Sequence, residues 1–302
     1  MSASSIQAID RASISTGDFA LLIAMNLIWG FNLVAAKTGV IQFPPIFFTA
    51  LRFGLLALFL LPFLKLHYGQ MKQLLAAAML TGPVAFALLF IGLSMVEDAS
   101  TVAIVTQLSV PIATLLGVWL LGETIRWRRR LGITLAFGGV AIISFDPHVF
   151  AAWDGVALVV LSCFFGSLGL VYIKRLRGVR PLELQAWIAV VGGPMLMLMS
   201  LMLESGQWAA IQNADIRGWS ALAFTTLVSS LVAHTIWYHL VSRYPVTSVA
   251  PATLLSPVCS VFFGVTLLHD QLTVRMLLGG TATLIGVLIV VLREQHLIDT
   301  GT

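Results

Sequence analysis

The sequence predicts an all-α polytopic membrane protein whose ten transmembrane helices form two inverted five-helix repeats, with both termini cytoplasmic. Three observations predict it: the composition, the distribution of cationic residues, and an internal repeat. Of the 302 residues, 59% are hydrophobic and only 10% are charged, and the mean hydropathy is +0.97. Because soluble domains carry about 25% charged residues, this composition excludes an ordinary soluble protein.

Apolar runs of about 20 residues, the length that crosses a bilayer, recur along most of the chain. Ten runs are separated by short polar connections, at approximately 18–36, 45–64, 73–95, 100–121, 128–145, 154–173, 182–203, 218–241, 246–268 and 273–292. The predicted organisation is a cytoplasmic tail (1–17), a first repeat (18–145), a second and inverted repeat (154–292), and a cytoplasmic tail (293–302).

The cationic residues predict the orientation, because short loops rich in Lys and Arg stay in the cytoplasm during insertion. With a cytoplasmic N-terminus, the inner segments hold Arg11, Lys65, Lys72, Arg126, Arg128, Arg129, Arg130, Lys174, Arg175, Arg177, Arg180, Arg243 and Arg293. The outer segments hold only Lys37, Arg217 and Arg275, and Arg52 lies within a span. The imbalance places both termini inside.

An internal repeat explains why one phrase occurs twice with different charges. The segment `GVWLLGETIRWRRRLGITLAFGGV` at 117–140 returns 147 residues later as `GVTLLHDQLTVRMLLGGTATLIGV`. The glycines recur and Asp270 matches Glu123, but Arg275 is the single arginine of the second copy. Five spans per repeat is an odd number, so the second copy is inverted and places this loop outside. Inverted repeats are typical of secondary transporters; the alternative is a duplicated scaffold without transport.

Three phrases carry a family resemblance: `WGFNLVAAK` in span one, `PPIFFTALRF` opening span two, and `P…LLGETI…GITLAFGGV` across spans four and five. They resemble the EamA-type members of the drug/metabolite transporter superfamily. Asp270 replaces the family's usual glutamate, and Phe165 replaces a tryptophan. The resemblance implies a multi-pass exporter of the bacterial inner membrane, most similar to exporters of aromatic and neutral amino acids. It also implies a central cavity enclosed by spans one, three, four, six, eight and nine, with spans five and ten outside it.

Ionisable side chains inside a membrane are costly and are therefore functional candidates. No Asp or Glu lies near the middle of a predicted span, which favours facilitated export over obligatory proton coupling. Arg52 either snorkels to the outer headgroups or pairs with a substrate carboxylate or backbone carbonyls. His234 either is satisfied by a neighbouring helix or handles protons. Glu123 and Asp270 either interact with the N-terminus of the next helix or form gating ion pairs.

Uncharged polar and aromatic residues near the midplane are the predicted cavity lining. Pro111 and Pro257 should bend their helices and free backbone carbonyls, so that acceptors near Thr106 and Gln107 meet a substrate ammonium. The candidates are Trp29, Asn32, Phe86, Phe90, Thr106, Gln107, Pro111, Phe165, His234, Trp237, Tyr238, Thr253 and Pro257. For each aromatic residue alone, the alternative is ordinary packing.

Other classes of function are disfavoured by what the spans lack. No spacing of Cys, His or acidic residues indicates a metal site or cofactor, and basic residues confined to short loops argue against a nucleic-acid partner. The predicted partners are a small-molecule substrate and the lipid bilayer, and the sequence does not indicate an oligomeric state. A drug or other metabolite exporter of the same fold, with or without proton coupling, stays open, and an intramembrane enzyme is the distant alternative.

Overall fold

The computed structural model describes residues 15–122, 125–244 and 249–299, and all regular structure within these ranges is helical. Two short helices, Pro147–Phe150 and Gln207–Asn213, lie in connections. The long helices of the described ranges are α1 (Thr16–Gln42), α2 (Pro45–Leu60), α3 (Met71–Met95), α4 (Ala99–Leu120), α5 (Trp127–Ser144), α6 (Trp153–Lys174), α7 (Pro181–Leu203), α8 (Ile216–Val241), α9 (Pro251–Leu268) and α10 (Val274–Asp299).

Nine helices in the described part of the chain are long and apolar enough to cross a membrane. The helix outside this set is α5, which has 18 residues and carries arginines at positions 128, 129 and 130. Large apolar side chains such as Leu58 and Met202 stand 71% and 74% exposed on these helices, as expected of a surface that faces lipid. The protein is therefore an all-helical, polytopic membrane protein.

Two helices extend beyond the predicted spans. The first runs to Gln42 instead of ending near residue 36, because the first strong helix breaker is the Pro44-Pro45 pair. Lys37, predicted in a connection, is consequently inside α1 and only 8% exposed. The last helix continues past residue 292 to Asp299, into the segment predicted as a tail.

Several helices depart from α geometry at corresponding places of the two predicted repeats. Both α3 and α8 contain π-helical segments, at Leu80–Val84 and Phe224–Ala233. Both α4 and α9 contain 3-10 segments, at Thr106–Leu108 and Ala250–Leu254, just ahead of the prolines predicted to bend them. Such segments often mark functional sites or hinges, and here they lie on four of the six helices that the resemblance assigns to the cavity.

Glycines join α5 to α10 in a reciprocal way. Gly132 lies against the Gly286 carbonyl and Gly139 against the Gly279 carbonyl, so the two helices run antiparallel. In the sequence repeat, Gly132 matches Gly279 and Gly139 matches Gly286. Gly132 therefore contacts the repeat partner of Gly139, and Gly139 contacts the repeat partner of Gly132, as across a two-fold axis. Small residues allow this close backbone approach within a bilayer.

The contact between α2 and α7 is also antiparallel. At one end, the Glu204 carboxylate accepts a hydrogen bond of 2.7 Å from the Ile46 N–H, at the start of α2. At the other end, Lys65 Nζ lies 3.4 Å from Glu183 Oε1. Helices five apart in the chain run antiparallel when the chain reverses direction an odd number of times between them, which agrees with a bundle in which every helix reverses and α5 is a full member.

The two ends of the bundle differ in charge. One end, which we call the basic end, carries Lys65, Arg126, Arg128, Arg130, Lys174 and Arg243, together with Asp18. The opposite end carries Lys37, Asp98, Asp146, Glu204, Asp215 and Asp270. Polar contacts tie helices together at both ends, and the cavity described below lies between them.

Candidate functional site

A cavity of about 730 Å³ is lined by residues of α1, α3, α4, α6, α8 and α9, together with Arg129 of α5 and Val291 of α10. Its described lining extends from Trp29, Trp237 and Thr253 to Arg129 and Lys174 at the basic end. Ligand pockets typically occupy about 300–1,000 Å³, so the space suits a small molecule. Six of these helices are those that the family resemblance assigns to a central cavity, whereas the expectation that α5 and α10 lie outside it is wrong, because Arg129 and Val291 reach the cavity from them.

One wall of the cavity is aromatic. Trp29 of α1 and Trp237 of α8 have ring centroids 6.1 Å apart, and Trp29 meets the His234 ring edge to face at 5.4 Å. His234 Nδ1 lies 3.0 Å from the carbonyl of Ser229 in its own helix, so this nitrogen is the donor. His234 is not among the described lining residues of the cavity; its ring packs against the Trp29 ring.

A second wall is formed where α4 packs against α6. Carbonyls near the bend of α4 are approached from α6: Cys163 Sγ lies 3.6 Å from the Thr106 carbonyl, and Ser167 Oγ donates to the Ser109 carbonyl at 2.9 Å. The predicted acceptor at Thr106 is thus already in contact with a thiol. Ser109 and Ser167 line the cavity, whereas Gln107 is not among the described lining residues.

Arg52 is buried in an aromatic cluster. It is 6% exposed, its Nη2 donates to Ser230 Oγ at 2.9 Å, and its guanidinium lies 5.3 Å from the Phe86 ring and 6.0 Å from the Phe90 ring. Arg52 therefore does not snorkel to the headgroups, because cation–π contacts and a hydroxyl hold it inside. Phe86 and Phe90 surround this cation instead of lining the cavity.

Polar contacts join helices at the opposite end of the bundle, where a second cavity of about 650 Å³ lies between α1, α8 and α9. The Asp270 carboxylate accepts hydrogen bonds from the Ser100 N–H at 2.7 Å and the Ser100 hydroxyl at 2.5 Å. The prediction that Asp270 stabilises the start of the next helix is therefore wrong: the carboxylate stabilises the N-terminus of α4, whose free N–H groups attract an anion. Lys37 Nζ, beside this contact, donates to the Leu93 and Val96 carbonyls.

Asp215 contributes a further contact at this end. Its carboxylate accepts hydrogen bonds from Gln42 Nε2 at 2.7 Å and from the Arg217 N–H at 2.8 Å. The Gln42 hydrogen bond, followed by the backbone N–H groups of the first turn of α8, lowers the pKa of Asp215 below its ordinary value. The contact joins the end of α1 to the start of α8.

The structure brings together only part of the predicted set. Trp29, Trp237 and Thr253 line the cavity. The predicted residues outside its described lining are Asn32, Phe86, Phe90, Thr106, Gln107, Pro111, Phe165, His234 and Pro257. Phe165 packs on Phe164 at 5.6 Å. Glu123 and the side chain of Tyr238 lie outside the described residues.

The sequence does not predict that two cations, Arg129 and Lys37, are buried in the bundle. Arg129 lines the cavity and is 4% exposed; it stands one turn before Ile133 and two turns before Ala136, both buried. Arg129 lies on the same helical face as these apolar residues, and this spacing in the sequence distinguishes it from the neighbouring arginines. For Lys37 the signal was weaker, namely the lack of a helix breaker before Pro44.

Both the sequence and the fold of this chain match known proteins. The model of the EamA-like transporter family matches residues 16–145 and again residues 153–292. The chain belongs to the EamA-like transporter family. A solved crystal structure 16% identical in sequence superposes on 93% of this EamA protein, and on 99% of its own chain, with a TM-score of 0.62, which shows a shared fold.

Curated relatives of this EamA protein are transporters. It is 27% identical over 300 residues to an Escherichia coli protein named "Probable amino-acid metabolite efflux pump", with 95% of this chain and 100% of the relative covered. It is 30% identical over 276 residues to the Bacillus subtilis "Uncharacterized transporter YvbV", covering 86% and 87%. The chain is therefore a membrane transporter that carries a small-molecule substrate.

Proposed function

We propose that this EamA transporter exports neutral and aromatic amino acids, or related metabolites, from the bacterial cytoplasm across the inner membrane. The observation that carries the proposal is the cavity of about 730 Å³ with the Trp29–Trp237 wall. Indole faces offer a large apolar surface to an aromatic or aliphatic side chain. The name of the Escherichia coli relative, aligned over its full length, supports amino-acid metabolites as the substrate class.

The proposed topology has ten spans with both termini cytoplasmic, in two inverted repeats at 18–145 and 154–292. The reciprocal glycine contacts between α5 and α10 support the inversion, and the cationic residues of the basic end support its cytoplasmic location. In this arrangement α5 crosses the membrane even though its first turn carries three arginines: Arg128 and Arg130 are exposed at the basic end, and Arg129 is buried against the cavity.

The proposed mechanism is alternating access, without chemical change of the substrate. In this proposal we assign the structure to a state that receives substrate from the cytoplasm; the cavity that reaches the basic end and the contacts of Asp270, Ser100 and Lys37 at the opposite end support the assignment. Export then requires these contacts to part and the basic end to close. The bent and π-helical segments of α3, α4, α8 and α9 are the proposed hinges.

A buried amide is a candidate partner for the substrate ammonium. Asn32 lies one turn from Trp29 on α1, and its Oδ1 is buried with no hydrogen-bond donor in reach among the described residues. A buried acceptor of this kind costs free energy unless a ligand or water supplies a donor. We assign Asn32 to ammonium recognition in a state in which the cavity reaches deeper.

Obligatory proton coupling is not part of the proposal. The described acidic side chains that make contacts stand at helix ends, as Asp18, Glu183, Glu204 and Asp270 do. A carboxylate that alternates its protonation would be expected nearer the midplane. The remaining titratable candidate is His234, beside Trp29.

The test is uptake of labelled amino acids into proteoliposomes, with and without an imposed pH gradient. We expect saturable flux of large neutral amino acids that does not respond to the gradient. Ala113→Phe, which fills the cavity lined by Ala113, should abolish the flux. The matched control is Ala141→Phe on the exposed face of α5, which should leave it intact.

Each other outcome changes a specific part of the proposal. Flux accelerated by the gradient would make the transporter proton-coupled and His234 the first residue to replace. No flux for any amino acid would move the assignment to a drug or other metabolite exporter of this fold. Flux that survives Ala113→Phe unchanged would rule out the cavity as the transport route.

A further inference from the structure

The second cavity is built from the same parts of the second half of the chain and the first as the cavity at the basic end, which we call the first cavity. At an offset of 136 residues, Asp18 matches Asp154 and Gly30 matches Gly166, so α6 is the counterpart of α1. Three residues of α1 line the second cavity, and their counterparts on α6 line the first: Phe31 with Ser167, Val34 with Leu170 and Thr38 with Lys174.

The other walls of the two cavities correspond as well. The third helix of each half contributes a residue of its π-helical segment, Thr81 in α3 and Phe224 in α8. The fourth helix of each half also contributes, with Ser109 of α4 in the first cavity and Leu268 of α9 in the second. In transporters built from inverted repeats, related halves open the substrate route to opposite sides. The correspondence therefore indicates that the second cavity is an exit.

The wall of the second cavity contains aromatic rings. Phe31 meets Phe224 edge to face at 4.8 Å, and it meets Phe263 edge to face at 5.6 Å. Trp29, two residues before Phe31, lines the first cavity. Helix α1 thus carries one aromatic residue into each cavity, and both cavities offer an apolar surface to the same kind of substrate side chain.

The mouth of the second cavity carries one charge of each sign. Asp215 and Arg217 line the cavity and are exposed. The hydrogen bonds that Asp215 accepts from Gln42 Nε2 and from the Arg217 and Gly218 N–H groups all fall on Oδ1, which leaves Oδ2 for a ligand. The Gln42 hydrogen bond and, less strongly, the Arg217 charge lower the pKa of Asp215, so the carboxylate is ionised at neutral pH. A carboxylate beside a guanidinium matches the two charges of a zwitterion.

We infer that the second cavity is a release site for the exported amino acid, where the Arg217 guanidinium binds the substrate carboxylate and Asp215 Oδ2 binds the substrate ammonium. This inference rests on the proposed function and adds a second substrate site to it. A guanidinium offers two parallel N–H donors to a carboxylate, and a carboxylate oxygen accepts from an ammonium. The apolar side chain of the substrate lies against Phe31 and Phe224. Because both charges are exposed, binding is weak, as release requires.

The test compares three ligands that differ in charge: phenylalanine, 3-phenylpropanoate, which lacks the ammonium, and phenethylamine, which lacks the carboxylate. Ser220→Cys places a thiol in the lining of the second cavity, in a background with Cys163→Ser and Cys259→Ala. The measured quantity is the concentration of each ligand that protects this thiol from a maleimide in detergent solution. Phenylalanine should protect at about 3- to 10-fold lower concentration than either of the other ligands, as expected for one exposed charge-assisted contact.

Two variants separate the roles of the two charges. Arg217→Gln should bind phenylalanine no better than phenethylamine, and Asp215→Asn should bind it no better than 3-phenylpropanoate. Asp215→Asn keeps a capping acceptor for the first turn of α8 and should therefore fold. Arg275→Gln, which changes an exposed cation of the same end outside the described lining, is the control and should keep both preferences. If either cavity variant keeps the wild-type preference, the inference is overturned.

A thiol in the first cavity separates this inference from the proposed function. Ala113→Cys, in the same background, reports ligand binding in the first cavity. Amino-acid flux with protection of Ala113→Cys but not of Ser220→Cys would keep the proposed function and overturn the release site. Protection of Ser220→Cys without any amino-acid flux would support zwitterion binding in the second cavity and reject amino-acid export.

The headgroup of phosphatidylethanolamine carries the same two charges as an amino acid. Protection of Ser220→Cys by phenylalanine is therefore also measured in nanodiscs of phosphatidylglycerol and in nanodiscs that contain phosphatidylethanolamine. Protection by phenylalanine in both lipids supports the release site. Protection by phosphatidylethanolamine alone, with no further effect of phenylalanine, would assign the mouth of the cavity to a lipid headgroup and contradict the inference.

Discussion

Asp270 and Ser100 are 170 residues apart in the chain, yet the carboxylate of the first receives both the N–H and the hydroxyl of the second, at 2.7 and 2.5 Å. The pair joins the end of α9 to the start of α4. Both residues are almost completely buried, at 7% and 0% exposure. A charge-assisted contact shielded from water is stronger than a surface one, so this pair is the main polar contact that an opening motion at this end must break.

Replacing Asp270 by Asn should favour opening of this end. An amide accepts hydrogen bonds less strongly than a carboxylate, and the loss of charge assistance should cost about 1–2 kcal/mol, which shifts the open population by about tenfold. The measurement is the labelling rate of Ala99→Cys, 1% exposed, by a membrane-impermeant maleimide, in a background with Cys163→Ser and Cys259→Ala. Asp154→Asn, an exposed acid at the same end, is the control. Equal labelling in both variants would show that the Asp270–Ser100 contact does not limit opening.

Two adjacent glycines of α5 should respond differently to enlargement. At Gly139 a Cβ atom would meet the Gly279 carbonyl and Thr283, whereas at Gly138 it would meet nothing within 4 Å. Gly139→Val should therefore destabilise the protein by about 1–3 kcal/mol through overpacking, and Gly138→Val should change little. The measurement is Tm in detergent, together with the amount of protein in the membrane. Similar losses for both variants would mean that helix propensity, not the close contact with α10, determines the effect.

Replacing Arg52 should separate stability from transport. Within the described residues its polar contact is Ser230 and its other contacts are aromatic, and a buried charge without a carboxylate partner is costly. Arg52→Met should thus keep or raise the Tm while transport falls by about tenfold, because the Arg52–Ser230 hydrogen bond joins α2 to the π-helical segment of α8 that is proposed as a hinge, and a change of about 1.4 kcal/mol in the hinge equilibrium corresponds to that factor. Arg52→Lys should retain part of the activity. A lower Tm with unchanged flux per folded molecule would assign Arg52 to structure alone.

The aromatic wall should discriminate among substrates by size. Trp29→Leu removes an indole from the cavity and should raise KM about 3- to 10-fold for aromatic amino acids, the range expected for one aromatic contact, and less for small aliphatic ones. Trp119→Leu, 80% exposed on α4, should leave both KM values unchanged. The measurement is initial flux against concentration for one substrate of each kind. A uniform change in KM would indicate a general loss of cavity shape.

The sequence predicts the helices well, since apolar length and proline position are local properties. Nearly every predicted span has a matching helix in the described ranges, and the bends ahead of Pro111 and Pro257 are present as 3-10 segments. Lys37 is the instructive error. A lysine in an apolar stretch predicts the end of a span, but here the carbonyls of Leu93 and Val96 hold its ammonium inside the bundle, and these carbonyls come from another helix.

The site is less predictable, because it depends on which face of each helix points inward. Trp29 and Trp237 meet across two helices, yet Phe86 and Phe90, equally aromatic, surround Arg52. A run of like charges hides the helical periodicity of Arg129, so the sequence predicts a cytoplasmic loop for all four arginines. No single-helix pattern reveals that Asp270 reaches Ser100, since that contact depends on how α4 and α9 cross.

The reciprocal glycines of α5 and α10 have a consequence for how the two halves could diverge. Suppose that both halves descend from one five-helix ancestor that paired with a second, oppositely inserted copy of itself. In such a pair one codon specified the same glycine in both copies, so that one mutation changed the helix contact at two places. Gene duplication separated those constraints. The four glycines stayed because geometry still demands them, while the neighbouring position became free to be Met276 in one half and Arg129 in the other. A difference in charge between the two halves, and with it a preferred side of the membrane for substrate entry, could then evolve while the α5–α10 contact stayed symmetric.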